Sequence, residues 1–98
     1  MSVKQTAGRD ALGAFAPKFA ELNDDVLFGQ VWNRMDKLSL RDRSLVTVTA
    51  LMAQGLVDSS FRYHLTTGRQ NGITKEEIGE ILTHAAFSAG WREAWAAF

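Results

Sequence analysis

The chain has 98 residues with 11 acidic and 11 basic side chains, so its formal net charge is zero. Hydrophobic residues make up 46% and charged residues 22%, a balance typical of a globular chain. The sequence has no basic run that would bind nucleic acid or anionic lipid, and no apolar run long enough to span a membrane. We therefore expect one soluble, cytoplasmic domain over residues 1–98, with no nucleic-acid or membrane partner.

The sequence contains no cysteine. This excludes disulfides, thiolate metal ligands, thiol nucleophiles and redox-active dithiols together. Histidine is the side chain whose ordinary pKa lies near neutrality, and the sequence has two, His64 and His84. Because they lie on separate predicted helices among scattered acids, their spacing fits no metal site, and we predict none.

The first third of the chain has a helical pattern. Apolar residues recur there at spacings of three and four, at Leu12, Phe15, Phe19 and Leu22. Pro17 suits the first turn of a helix. The pattern predicts a short helix before Gly13, a second from about Pro17 to Leu22, and a third that starts after Asn23-Asp24-Asp25.

The middle of the chain contains a strongly apolar helix. Ser39 and Asp42 resemble a capping box at its start, and the acid favours the positive end of the helix. The run from Leu45 to Ala53 is apolar on nearly all sides, and Gly55 follows its end. We expect a buried helix that is covered on several sides, by its own domain or by another subunit.

Three more helices are predicted in the last part of the chain. One spans about Ser59 to Asn71. Thr74 and Glu77 then form a capping box that opens the next helix. Gly90 separates that helix from a last amphipathic segment over residues 91–98. The sequence as a whole therefore predicts a compact all-α fold.

Six blocks of the sequence match the order and spacing of a known family. They are Leu38–Val46, Tyr63–Leu65, Asn71–Thr74, Glu77–Glu80, Leu82–His84 and Ala89–Trp91. They resemble the carboxymuconolactone decarboxylase family, whose fold is related to that of alkylhydroperoxidase D. The resemblance implies a helical fold and a homo-oligomer, a trimer or a hexamer. We assign Trp91 and Trp95 to the interface, because aromatic residues at helical spacing usually lie in a core or an interface.

One branch of this family reduces peroxides. The chain lacks the cysteines that this branch uses, so we exclude that activity. That branch uses a Cys-x-x-Cys pair, a following histidine and a glutamate on the preceding helix. In this chain the region over residues 56–60 has no sulfur, Ser44 stands near the place of the glutamate, and His64 alone matches. Hydroxyl groups cannot cycle between oxidised and reduced forms as a dithiol does.

The sequence is more similar to the decarboxylase branch. That branch removes CO₂ from an unsaturated carboxylactone such as 4-carboxymuconolactone without a cofactor, so the resemblance implies a carboxy-lyase with a small-molecule substrate. Ser88 and Arg92 stand where the family often has Tyr and Pro. This keeps open the alternative of a non-catalytic oligomeric scaffold or binding domain of the same fold. A third hypothesis is a peroxidase-related protein that lacks the redox cysteines and takes them from a partner.

Glu80 and His84 are the first catalytic candidates. They are four residues apart on the helix that follows Thr74, so they share a stripe beside its apolar face. A cofactor-free decarboxylation needs a cation that holds the substrate carboxylate or lactone, and an acid that protonates the carbanion-like centre. We predict His84 as the acid and Glu80 as the group that orients it. The alternative is a solvated pair of little energetic value.

The remaining candidates lie on the two preceding helices. His64 shares a stripe with Asn71, and the family match makes it a third catalytic candidate beside the alternative of a hydrogen-bonded structural histidine. Asn71 and Arg43 are predicted to bind substrate, because Arg43 can clamp a carboxylate with two hydrogen bonds. The alternative for Arg43 is a salt bridge. If both histidines face one cavity, they form one site.

Overall fold

The computed structural model describes residues 3–98, which form helices and turns without a strand. The chain divides into two compact units, one ending at Ser39 and the other spanning Leu40–Phe98. The predicted all-α fold is confirmed, whereas a single domain over residues 1–98 stays a prediction. No helix within the described residues has the length and apolar character needed to cross a membrane.

The first unit contains α1 (Ala7–Leu12), α2 (Pro17–Glu21) and a π-helix (Leu22–Val31). As predicted, α1 ends before Gly13 and Pro17 is the first residue of α2. The predicted interruption at Asn23-Asp24-Asp25 is wrong, because α2 continues directly into the π-helix. The amide of Trp32 donates to the carbonyl of Leu27, five residues earlier, at 2.9 Å, as a π-helix requires.

Asp24 explains why the acidic segment does not begin a new helix. Its buried carboxylate accepts hydrogen bonds from the backbone amides of Gly8 at 2.9 Å and Arg9 at 3.0 Å. These amides lie in the first turn of α1, where the preceding Thr6 makes no side-chain cap. Asp24 therefore caps α1 from the π-helix, satisfying backbone donors that α1 itself cannot satisfy.

Glycine is required where this cap approaches α1. A Cβ atom at Gly8 would lie 2.7 Å from the Asp24 carboxylate and 2.9 Å from the Ala20 carbonyl. The unit's buried residues include Ala20, Phe28 and Trp32, and the rings of Phe28 and Trp32 stack at 5.8 Å. The apolar residues of the early pattern, by contrast, are exposed in this chain: Leu12, Phe15, Phe19 and Leu22.

The second unit contains α3 (Leu40–Ala53), α4 (Ser59–Gln70), α5 (Lys75–Ala89) and α6 (Trp91–Ala97). Its apolar core consists of Val48, Met52, Phe61, Leu82 and Ala85. The glycines between the helices adopt positive φ angles, 73° at Gly55 and 108° at Gly72, which favour a residue without a side chain. The predicted order of helices over this unit is confirmed.

Helix α3 is buried on fewer sides than its apolar sequence predicts. Ser44, Val48 and Met52 are buried and follow one another at intervals of four, so they form a single buried stripe. Val46 on another side of the helix is exposed. Within this chain α3 is thus buried on one face, and the expected cover from another subunit stays a prediction.

We expect acid to destabilise the first unit through Asp24. Burial acts to raise the pKa of Asp24, but hydrogen bonds from the Asn23 side chain and from the Arg9 and Gly8 amides outweigh it and hold the pKa below its usual value. A carboxyl group with a lowered folded-state pKa stabilises the protein above its unfolded pKa of about 4, and this contribution is lost as the pH falls through the folded pKa.

Circular dichroism of Asp24→Asn against the parent chain measures this contribution. The variant should unfold at a lower temperature at neutral pH and should lose less stability on acidification. Asp36→Asn is the matched control because Asp36 is exposed. Equal unfolding midpoints for the two variants at neutral pH would show that the cap on α1 contributes nothing.

Candidate active site

Helices α3 and α5 pack against each other in the same chain direction, as the order of their contacts indicates. Near the start of both helices, Arg41 Nη2 donates a hydrogen bond to Glu77 Oε2. Further along, Leu45 and Thr49 of α3 line one cavity with Ile81 and Ala85 of α5. The two residues of each helix are four positions apart, so they lie on successive turns.

This cavity, here called the α3/α5 groove, has a volume of about 420 Å³. It is lined by Leu45, Thr49, Glu80, Ile81, His84 and Ala85. The hydroxyl of Thr49 donates its hydrogen bond to the Leu45 carbonyl of the same helix, at 2.8 Å, and so does not donate into the groove. The groove is therefore mainly apolar, and its ionisable groups are one carboxylate and one imidazole. Its size suits a small organic ligand.

The structure brings Glu80 and His84 together, as the spacing predicts. The two side chains are one turn apart on α5, and both are exposed, so a ligand in the groove can reach both. The contact by which Glu80 would orient the imidazole stays a prediction.

His64 does not join them in the α3/α5 groove. It lies on α4 with 9% of its surface exposed, and its ring meets that of Tyr63 edge-on at a centroid distance of 5.0 Å. Burial lowers the pKa of His64, which favours the neutral imidazole at pH 7. This placement fits a packed histidine better than one that meets a substrate in the groove. Its catalytic role stays a prediction.

Asn71 and Arg43, the predicted substrate ligands, also lie away from the groove lining. Asn71 follows the end of α4, and its side-chain amide donates to Ser44 Oγ at 3.0 Å. It thereby links α4 to the buried side of α3. Arg43 is half-buried in the first turn of α3, two residues before Leu45 and so about 200° away around the helix axis. Their binding roles stay predictions.

The ion pair between Arg41 and Glu77 is the feature that sequence reasoning missed. The predicted capping box is confirmed, since Glu77 Oε1 accepts from the Thr74 amide at 2.9 Å and Thr74 Oγ1 accepts from the Glu77 amide at 3.1 Å. Glu77 also holds Arg41 through its other oxygen. The Thr74 amide is the main reason that the pKa of Glu77 lies below its usual value, and Arg41 adds to the effect.

Sequence comparison shows the class of protein to which this fold and groove belong. The profile of the carboxymuconolactone decarboxylase family matches residues 17–98. The chain is a member of the carboxymuconolactone decarboxylase family. It is 37% identical over 79 residues to the 4-carboxymuconolactone decarboxylase of Acinetobacter baylyi. That match covers 81% of this chain and 58% of the relative, so the chain spans less than two-thirds of the relative's length.

The burial of His64 predicts a pH dependence of stability. Because its folded-state pKa is lowered, its contribution is fully present above the unfolded pKa of about 6.5 and falls as the pH decreases toward the folded value. Thermal unfolding at pH 7.5 and 5.5 should show a smaller pH difference for His64→Gln than for the parent chain. His84→Gln is the matched control because His84 is exposed. The same pH difference in all three proteins would contradict this role of His64.

Proposed function

We propose that the protein is a cofactor-independent carboxy-lyase that decarboxylates a small unsaturated carboxylactone such as 4-carboxymuconolactone. The observation that carries the proposal is the α3/α5 groove, where Glu80 and His84 meet apolar walls. The family membership supports the reaction class, and the name of the Acinetobacter baylyi relative supports the substrate class. His84 and Glu80 are the central residues of this proposal.

The reaction needs an acceptor for the electron pair of the bond that breaks, and a source of one proton. The bond between the ring carbon and the carboxylate breaks, CO₂ leaves, and the electron pair moves through the double bond onto the lactone carbonyl oxygen. The resulting dienolate then takes a proton at a ring carbon. Apolar walls such as Leu45 and Ile81 limit water around the developing charge, which strengthens hydrogen bonds made to it.

His84 supplies the proton in this scheme. Its protonated imidazole transfers a proton to the ring carbon and regains one from solvent, so the protein ends the cycle unchanged. Glu80, one turn before it, orients the imidazole. No electrons are gained or lost overall, and the step therefore needs no oxidant or reductant. His64 is a further candidate acid, whose contribution the variants below measure.

We also propose that the chain works as a homo-oligomer, a trimer or a hexamer. Large aromatic side chains of α5 and α6 are exposed, with 84% of Phe87, 61% of Trp91 and 70% of Trp95 accessible. A cleft of about 300 Å³ lies beside the two tryptophans, lined by Thr83, Ala86, Trp91, Ala94, Trp95 and Phe98. Exposed apolar patches of this kind favour association with another protein surface.

Turnover of the predicted substrate class tests the catalytic proposal. On a panel of unsaturated carboxylactones, His84→Gln should lower turnover by about 10²–10⁴-fold, the range typical of a lost general acid. Glu80→Gln should have a smaller effect, and Glu76→Gln is its matched control because Glu76 is an exposed acid of α5 outside the groove lining. CO₂ release and lactone absorbance are the two readouts.

Two outcomes would contradict this assignment. If the parent chain turns over no lactone on the panel, the result contradicts the lyase hypothesis and supports the non-catalytic scaffold. If turnover appears and survives His84→Gln but is lost in His64→Gln, the reaction stands and the acid is His64. Circular dichroism confirms that each variant is folded.

Sedimentation tests the assembly. At micromolar concentration the parent chain should sediment as a homo-oligomer, and Trp95→Glu should shift it toward smaller species, because a charge in the aromatic patch must be desolvated on association. Phe15→Glu is the control, since Phe15 is an exposed aromatic residue of the first unit. A stable monomer of the parent chain would refute the assembly.

A further inference from the structure

The α3/α5 groove has no arginine or lysine in its lining, although a carboxylactone substrate is an anion. His84 cannot both donate the proton and permanently hold a carboxylate. An arginine at the edge of the groove would supply the missing positive charge with two hydrogen bonds. The register of α3 and α5 places one arginine there.

Arg41 lies on the groove side of α3. It precedes Leu45 by four residues, as Leu45 precedes Thr49, so the three residues share one face and differ by about 6 Å in height per step. Its partner Glu77 precedes Ile81, on the opposite wall, by the same four residues. The ion pair of Arg41 and Glu77 therefore lies about one turn beyond the groove walls, toward the starts of both helices.

The guanidinium keeps hydrogen-bonding capacity at this end. Arg41 Nη2 donates to Glu77, and Nη1 lies 3.4 Å from Asp42 Oδ1. A guanidinium has five N–H donors, and 36% of the Arg41 side chain is exposed, so a further carboxylate can bind. Because α3 and α5 run in the same direction, the positive ends of both helix dipoles also lie here.

We propose that Arg41, held in place by Glu77, binds a carboxylate of the substrate at the end of the α3/α5 groove. This inference rests on the proposed function and assigns a binding residue to the carboxylate that the reaction keeps. The departing carboxylate is a poor partner for Arg41, because an ion pair with it stabilises the ground state and disappears as CO₂ forms. Arg41 is thus a binding residue and Glu77 a positioning residue.

The proposal differs from the sequence-based prediction, in which Arg43 is the candidate for binding the carboxylate. Arg43 is two residues from both Arg41 and Leu45, so it projects from a different side of α3 than the groove face. A simple stabilising ion pair between Arg41 and Glu77 predicts no preference of the protein for an anionic ligand. A measurement of ligand charge preference therefore separates a binding role from a structural one.

Calorimetric titration with unreactive ligands provides that measurement. The probes are a saturated lactone dicarboxylate, which has no double bond to accept electrons, and the same lactone with the retained carboxylate converted to a carboxamide. The parent chain should prefer the dicarboxylate. Arg41→Gln should weaken dicarboxylate binding by about 10-fold or more and remove the preference, as expected for a lost hydrogen bond to a charged group.

Other variants make the assignment specific. Arg41→Lys should restore part of the preference, because lysine keeps the charge without the planar pair of donors. Glu77→Gln should weaken binding less than Arg41→Gln, since glutamine also serves in a capping box. Arg62→Gln is the matched control, since Arg62 is an exposed arginine on α4 outside the groove lining. Circular dichroism should show all variants folded, because an ion pair that solvent can still reach contributes little stability.

The outcomes for this inference and for the proposed function are distinct. Unchanged dicarboxylate binding by Arg41→Gln, or no dicarboxylate binding by the parent chain, overturns the role of Arg41. Loss of binding in Arg43→Gln with retention in Arg41→Gln assigns the carboxylate to Arg43 instead. A third outcome is dicarboxylate binding that depends on Arg41 without turnover of any unsaturated lactone. This result supports Arg41 as a binding residue and contradicts the proposed lyase activity.

Discussion

The packing of α3 against α5 is the constraint on which the candidate site depends. Val48 and Met52 of α3 belong to the same buried cluster as Leu82 and Ala85 of α5, and their burial holds the two helices in one register. Turning α5 by one residue would rotate its side chains by about 100°, moving Glu80 and His84 away from the wall formed by Leu45. The apolar core thus positions polar groups that it does not contain.

The starts of the helices show three ways of satisfying the same backbone donors. Asp58 caps α4 locally, through a 3.0 Å hydrogen bond from the Ser60 amide to its carboxylate, and Thr74 with Glu77 caps α5 reciprocally. Asp24 instead caps α1 from another helix. Glu77 has a second role, because the carboxylate that completes the capping box of α5 also accepts a hydrogen bond from Arg41 of α3. One carboxylate therefore both caps its own helix and links it to a neighbouring helix.

The two histidines have different environments although both match the family's pattern. His84 lies at the open edge of a groove, where a ligand and solvent both have access. His64 is buried beside Tyr63, where desolvation disfavours its charged form. Both histidines lie in segments that match the family, whereas burial distinguishes an accessible histidine from a packed one. The groove is therefore the stronger basis for a mechanism than the presence of two histidines.

The sequence by itself determined the all-α fold, the helix at Pro17, the capping box of Thr74 with Glu77, and the shared stripe of Glu80 and His84. These features depend on residues within about one helical turn, so local spacing contains the necessary information. Tertiary structure alone decided that Asp24 caps α1 within a continuous π-helix, that Arg41 meets Glu77, and that His64 lies outside the groove. The first two depend on contacts between residues 16 and 36 positions apart, and the third depends on how α4 packs. Such contacts follow from helix packing, which local periodicity does not specify.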